Sequence, residues 1–260
     1  MPNLKEIVMK DGGLQDHNNA LAILSSSRHG WWSVTIKYWS LDNAAKMSLE
    51  NHFSTLQMLD VSQCGSFTGD DLVKILSSCP HLHTLNDHFG DGTRIHSNAF
   101  IDRDPTTGLL KAWACEPSLR VLDIKITGIP RPDLKTGGEE DHFIVEEAYY
   151  GQGREIQQLV YDRLARLTHL ETILLAAVSV HDVLSCPEFT LESGLHKLAG
   201  LKSLERLDVW SMEVKLGLEE VQWMAEHWPS LRLLHADVVD LEGTRKWLKE
   251  HRPQISLEED

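Results

Sequence analysis

Cysteine is scarce in this chain. Cys64, Cys79, Cys115 and Cys186 are the only four among 260 residues, and no two of them form a CxxC pair. A chain of this length has no need of disulfide staples, so the four read as reduced thiols in a cytoplasmic or nuclear protein. Basic charge is also in deficit, with 25 Lys and Arg against 39 Asp and Glu and a net charge of −14. That balance is a poor match to phosphate backbones and anionic lipid, so neither nucleic acid nor a membrane is expected as a partner. Long apolar runs are missing. The longest, Ile173–Val180, falls far short of the roughly 20 residues a membrane helix needs, and the N-terminal stretch MPNLKEIVMKDGG lacks the apolar core of a signal peptide. No low-complexity linker divides the sequence, so one domain covering residues 1–260 is expected.

Reaction chemistry is equally sparse. The 14 histidines form no constellation with a nucleophile, and His81, His83 and His88 have no carboxylate or thiolate spaced to complete a metal site. Asp102-Arg-Asp104-Pro-Thr106 begins like a calcium loop, but Thr107 stands where the loop glycine belongs and Trp113 where its last glutamate belongs. Gly151-Gln-Gly153-Arg lacks the spacing and the Lys-Ser/Thr of a phosphate loop, and reads as the turn that starts a helix. The run Glu139-Glu140-Asp141, with Glu146 and Glu147, reads as a solvated loop. Catalysis, a metal and a cofactor are therefore not expected.

What the sequence does contain is a recurring LxxLxL head. Its first slot is held by Leu4, Trp31, Leu56, Leu82, Leu119, Leu170, Leu204 and Leu231, at successive offsets of 27, 25, 26, 37, 51, 34 and 27. Offsets near 26 are the period of long leucine-rich repeats. The alternation makes each head a short strand with one buried face. Between heads, residues such as Leu72, Ile75 and Leu76 share one helical face. One strand and one helix cannot bury a core alone, whereas stacked copies can. The fold expected is an α/β leucine-rich-repeat solenoid of about eight repeats, a horseshoe with a parallel sheet on its concave face and helices on its convex face. Proline stands two residues before three heads, as Pro80, Pro117 and Pro229, where it ends a helix and sets an extended entry. Cys64 and Cys79 fall in apolar slots of the repeat and read as small core residues.

Leu56–Asn86, with LDVSQC followed by a helical stretch and SCPHLHTL, resembles the cysteine-containing leucine-rich repeat of F-box proteins, and the later IPRPDL and GQGREIQQLVYDRLARLTHLETILL resemble a group of fungal F-box-like repeat proteins. The resemblance implies a ribonuclease-inhibitor-like architecture. It also implies the role of substrate receptor in a cullin–RING ubiquitin ligase, reached through an adaptor and cullin. No F-box is visible in residues 1–260, and the first head opens at Leu4 with nothing before it, which predicts further sequence upstream. The alternative is a stand-alone binding or scaffold module with no link to ubiquitin.

Two offsets are stretched by inserts of about residues 87–108 and 126–153, rich in Gly, Pro and Asp. Both follow a strand, so both are expected on the same rim, where insertions often mark the binding face. A C-terminal cap is expected over residues 240–260: an amphipathic helix around Trp247 and Leu248, then a polar tail from Ser256. Strand alternation aims two columns of side chains at the concave face. From these the expected partner-binding residues are Lys37, Asp60, Asn86, His88, Asp123, Lys125, Arg206, Asp208, Trp210, His235 and Asp237, with Arg206 and Trp210 four apart on one strand as the leading anchors. A protein substrate or peptide is the partner such a surface suits.

Overall fold

The computed structural model describes residues 5–10, 22–25, 30–87, 93–131, 147–175, 185–212 and 215–258. Each LxxLxL head becomes a strand. The first eight are β1 (Glu6–Met9), β2 (Ser33–Ile36), β3 (Met58–Asp60), β4 (Thr84–Asn86), β6 (Val121–Thr127), β7 (Thr172–Leu175), β8 (Arg206–Asp208) and β10 (Leu233–His235). They pair in that order, every pair parallel, and the sheet continues to β12 (Ser256–Glu258). With β5 (Arg94–His96) beside β6, the sheet has ten strands. The chain is thus an α/β protein built on a large parallel sheet, with a solenoid-like succession of strands.

Register follows the apolar pattern. Ile7, Val34, Leu59, Leu85, Leu122, Ile173, Leu207, Leu234 and Leu257 are aligned partner to partner across the sheet. Those from Val34 to Leu234 are fully buried. A one-residue slip in any strand would turn that residue to the opposite face, so the ladder fixes the register. The first leucines of the heads, including Leu56, Leu82, Leu119, Leu170 and Leu204, are buried beneath it.

The helices α1 (Asn43–Glu50), α2 (Gly69–Ser78), α3 (Glu147–Leu164), α4 (Leu218–His227) and α5 (Leu241–His251) lie in five of the crossovers. In α2 the buried residues are Leu72, Ile75 and Leu76, the face read from the sequence. Thr68 caps it reciprocally with Asp71, satisfying two otherwise orphaned amides. At its other end Cys79 is extended and Pro80 follows, and α4 stops the same way at Trp228 before Pro229. Neighbouring helices are joined at their surfaces by Lys46–Asp71 at 2.6 Å and Lys74–Glu50 at 2.5 Å.

Several expectations need correction. Among the described residues, the crossovers from β4 to β6 and from β7 to β8 contain no α-helix; their helical turns are 3-10, at Ser97–Ala99 and Leu195–Gly200. Pro105 and Gly108 interrupt the first, and Gly194, left-handed at φ 106°, fixes the entry to the second. Helix α3 starts at Glu147, so Gly151 and Gly153 lie inside a helix and not in a turn before it. Gly153 has a packing reason, since a Cβ there would sit 2.5 Å from the Pro130 carbonyl oxygen. Ser256–Glu258, read as a polar tail, is a strand paired with β10. Pro253 stands two residues before buried Ile255, the spacing seen at Pro80 and Leu82, and this marks the strand's entry. Short strands β9 (Lys215–Leu216) and β11 (Asp237–Val238) form a separate two-stranded sheet.

The first insert is fastened by arginines from α3 and the turn after it. Arg163 is fully buried; its Nε donates to the Phe100 carbonyl at 3.2 Å and its Nη1 to Glu116 Oε1 at 3.1 Å and to the Lys111 carbonyl. Its guanidinium lies 5.0 Å from the Trp113 ring centroid. Arg166 pairs with the second oxygen of Glu116 at 2.8 Å. Removing the fork leaves two carbonyls without a donor in a buried site. Arg163→Ala is expected to lower unfolding stability by about 3 kcal/mol, and Arg163→Lys to recover less than half of that, in urea unfolding followed by tryptophan fluorescence. A loss below about 0.5 kcal/mol for Arg163→Ala would mean that the fastening is not structural.

Candidate functional site

The residues expected on the open face of the sheet separate into two groups. In the N-terminal half, Lys37 Nζ is 2.9 Å from Asp60 Oδ2, and Asp60 Oδ1 accepts the Ser62 amide at 3.0 Å. Asp60, Asp123 and Lys125 are buried, at 6%, 5% and 2% exposure, so little of their surface meets solvent. Asp60 organises the turn after its strand. Asn86 is half-buried beside them, and its carbonyl accepts the Val61 amide at 2.9 Å. His88 lies outside the described residues, as do most of the second insert and Glu139-Glu140-Asp141. His81 and His83 are exposed on the turn before β4.

The C-terminal half holds a connected cluster. Asp208 Oδ2 accepts from Arg206 Nη2 at 3.0 Å and lies 3.1 Å from His235 Nδ1. The Trp210 ring stacks on His235, with centroids 5.6 Å apart and planes 7° from parallel. Strand β8 ends at Asp208, so Trp210 does not continue it but begins a 3-10 turn over Trp210–Met212. That turn still delivers the indole to the neighbouring strand's histidine on the same face. Trp210 remains 37% exposed, and half-buried Leu174 and Leu233 occupy outward positions of β7 and β10. Asp237 is not on this face; it sits in the two-stranded sheet with β9. Among the described residues Arg206 Nε is buried without a hydrogen-bond partner, which leaves donor capacity on a guanidinium whose Nη2 is held by Asp208.

The cluster offers an aromatic plate and a cation, both held by neighbours. Stacking and the shared carboxylate restrict their rotamers before any partner arrives, which lowers the entropy lost on binding. Nothing in it places a nucleophile beside a base. Among the described residues, no group of three or more His, Cys, Asp or Glu is arranged to hold a metal ion, and no helix is long and apolar enough to cross a membrane. Asp104, in the stretch that begins like a calcium loop, accepts the amides of Thr106 and Thr107 at 2.8 Å each. Those amides hold its carboxyl below the usual range, and Asp102 pairs with Lys111 at 2.7 Å.

The four cysteines are buried and form no disulfide. Cys64 Sγ lies 2.8 Å from the Trp39 carbonyl of the preceding turn, and Ser66 Oγ accepts the Leu41 amide at 2.8 Å, so this repeat closes the backbone of the one before it. Burial pushes the Cys79 and Cys115 thiols up to about 12 and raises Cys64 as well.

The sequence reading passed over Asp87. It occupies the sixth slot of its head, where the other heads place Met9, Ile36, Val61, Ile124, Leu175, Val209 and Ala236, all buried. One carboxylate in a column of seven apolar residues was a legible signal.

Comparison with protein-family models and with curated proteins gives no match. Among solved structures, a chain from the crystal structure of the Rad7 and Elc1 complex in yeast is similar, at 12% identity over 98% of this chain and 68% of that chain, with a TM-score of 0.47. A superposition at that level assigns neither a family nor a function.

Thiol reactivity tests the burial. In the native protein no cysteine is expected to react quickly with an aromatic disulfide reagent at pH 8, and all four are expected to react after denaturation, because only exposed thiolate attacks. A single fast native thiol would place a reactive cysteine where the structure has a core residue.

Proposed function

We propose that this chain is a non-catalytic recognition module of about eight leucine-rich repeats, one domain curved as a horseshoe, that binds a protein or peptide on its concave sheet. The observation that carries this reading is the Arg206–Asp208–His235–Trp210 cluster. It is a rigid aromatic and a tethered guanidinium on an open sheet face, bordered by half-buried Leu174 and Leu233. Buried aromatic and arginine anchors carry most of the energy in protein interfaces. The contact residues of the reading are Lys37, Asp60, Asn86, His88, Asp123, Lys125, Arg206, Asp208, Trp210 and His235; Asp237, in the two-stranded sheet, is not among them. Arg206, Trp210 and His235 contribute directly. Asp60, Asp123 and Lys125, being buried, act by shaping the face.

The module's role in this reading is to present a substrate to a cullin–RING ubiquitin ligase. The resemblance of Leu56–Asn86 to the cysteine-containing repeat of F-box proteins supports it, and the linkage to adaptor and cullin would lie in an F-box outside the repeats. Buried thiols outside any disulfide agree with a cytoplasmic or nuclear setting. The second reading, a stand-alone scaffold, uses the same face and differs only in lacking the ligase.

Affinity capture from the source cell separates these readings. Three baits are compared: the wild type, Trp210→Ala, and Met47→Ala on helix α1 as a control for an exposed apolar residue away from the sheet. Proteins held by the sheet face are expected with wild type and Met47→Ala and to weaken at least about 30-fold with Trp210→Ala. Identical recovery by all three baits would remove the sheet face as the binding surface. A further wild-type bait carries whatever sequence the gene encodes upstream of residue 1; adaptor and cullin recovered with that bait support the ligase role, and face-dependent capture without them on it selects the scaffold.

A further inference from the structure

Asp87 is 1% exposed and fills the slot in which every other head buries an aliphatic side chain or methionine. Its Oδ2 accepts the Thr93 amide at 2.8 Å, and its Oδ1 is buried with no hydrogen-bond partner among the described residues. Thr93 is the residue immediately before β5, and its own hydroxyl donates to the Phe67 carbonyl at 3.1 Å. The carboxyl therefore joins the end of β4 to the start of the strand that the first insert adds to the sheet. That strand has one pairing, with Arg94, Ile95 and His96 opposite Lys125, Ile126 and Thr127. On its other side the N-terminus of α2 approaches closely: a Cβ on Gly69 would lie 2.4 Å from the Arg94 carbonyl oxygen.

We propose that Asp87 is a proton-operated latch that holds β5 on the sheet when its carboxyl is neutral and loosens β5 when the carboxyl ionises. A neutral carboxyl can be buried with one oxygen unpaired at modest cost, whereas a carboxylate there must keep a bare charged oxygen out of water. Five groups face it. The Thr93 amide, the Lys125 ammonium and the Thr93 hydroxyl favour the charged form. The Asp123 carboxylate opposes it, and the Cys64 thiol, from the turn after β3, interacts with it as well. Desolvation is the largest effect and raises the carboxyl to about 7, far above the ordinary aspartate value. The sign follows. Once β5 lifts away and water reaches Asp87, its pKa falls, so opening releases a proton and becomes easier as pH rises. Protection from this group is complete at low pH, falls through the range up to about pH 7, and changes little above it. The strand adjoins the rim beyond β6, so the latch would give this edge of the sheet two states within the ordinary cellular pH range.

Amide hydrogen exchange read as protection factors, which removes the intrinsic pH dependence of exchange, tests the latch on the full chain. Protection over Arg94–His96 is expected to fall roughly fivefold from pH 6 to pH 7 and further by pH 8, while Leu59 and Leu207 in other strands hold theirs. Asp87→Asn, which keeps an acceptor for Thr93, is expected to hold β5 equally at all three pH values. Gly69→Ala, which pushes on the β5 backbone, is expected to lower its protection at every pH and so shows that the readout responds. Should Asp87→Asn not fold, the Asp87 carboxyl 13C resonance in the wild type is followed, with a midpoint near neutrality expected. Unchanged β5 protection across the pH range, the same pH response in Asp87→Asn, or an Asp87 midpoint below 5 would each overturn the proposal.

Discussion

The structure depends on one constraint: no strand here can bury its apolar edge without the next one. A three-residue strand such as Arg206–Asp208 contributes a single inward leucine, Leu207, and that side chain is enclosed only because Ile173 and Leu234 lie in register on either side. Each fully buried leucine contributes roughly 2 kcal/mol of transfer free energy, too little to order a repeat by itself. The stabilisation is therefore shared along the ladder, and cooperativity runs along the sheet from neighbour to neighbour. The helices complete the enclosure from the other side. The polar bonds between turns, Cys64 to Trp39 and Ser66 to Leu41, close backbone groups that the short strands cannot pair.

The same constraint makes much of the fold legible in the sequence. Every head carries its inward residue at the same slot, and these slots became the paired positions of adjacent strands. The face of α2 and the stops at Pro80 and Pro229 follow from helix period and from proline's missing donor, both local properties. The failures have tertiary causes. Among the described residues of the β4–β6 and β7–β8 crossovers, Pro105, Gly108 and Gly194 interrupt the chain where a helix would run, and a 3-10 turn buries Leu195 and Leu198. Strand β12 has only Ile255 and Leu257 as apolar positions, too few for alternation to stand out, and exists because β10 offers it an edge.

Legibility of the candidate site was more limited. Alternation correctly sends Arg206, Asp208 and His235 to one face, but spacing alone cannot reveal that Trp210 leaves the strand and returns over His235. Nor can it separate an exposed lysine from Lys125, which β5 and its surroundings bury. Partner residues on a repeat surface are ordinary side chains in columns. Their value depends on which neighbour holds them, and that information lies in contacts between residues far apart in sequence.

The insert that buries Lys125 also changes the sheet. Most strands in the ladder have three or four residues, whereas β6 has seven, because β5 supplies a partner for its second half. A strand extends only as far as something accepts its hydrogen bonds, so the insert is what lengthens the sheet at this point. The lengthening carries a polar cost. Asp87, Asp123 and Lys125 are all enclosed where β4, β5 and β6 meet, and Asp87 fills a slot that the other heads give to aliphatic side chains or methionine. Replacing such a group by an aliphatic one would commonly be neutral or stabilising. Asp87 and Lys125 lie where the added strand docks, which ties this part of the polar interior to the insert. A core built for stability alone would have continued the apolar column through position 87.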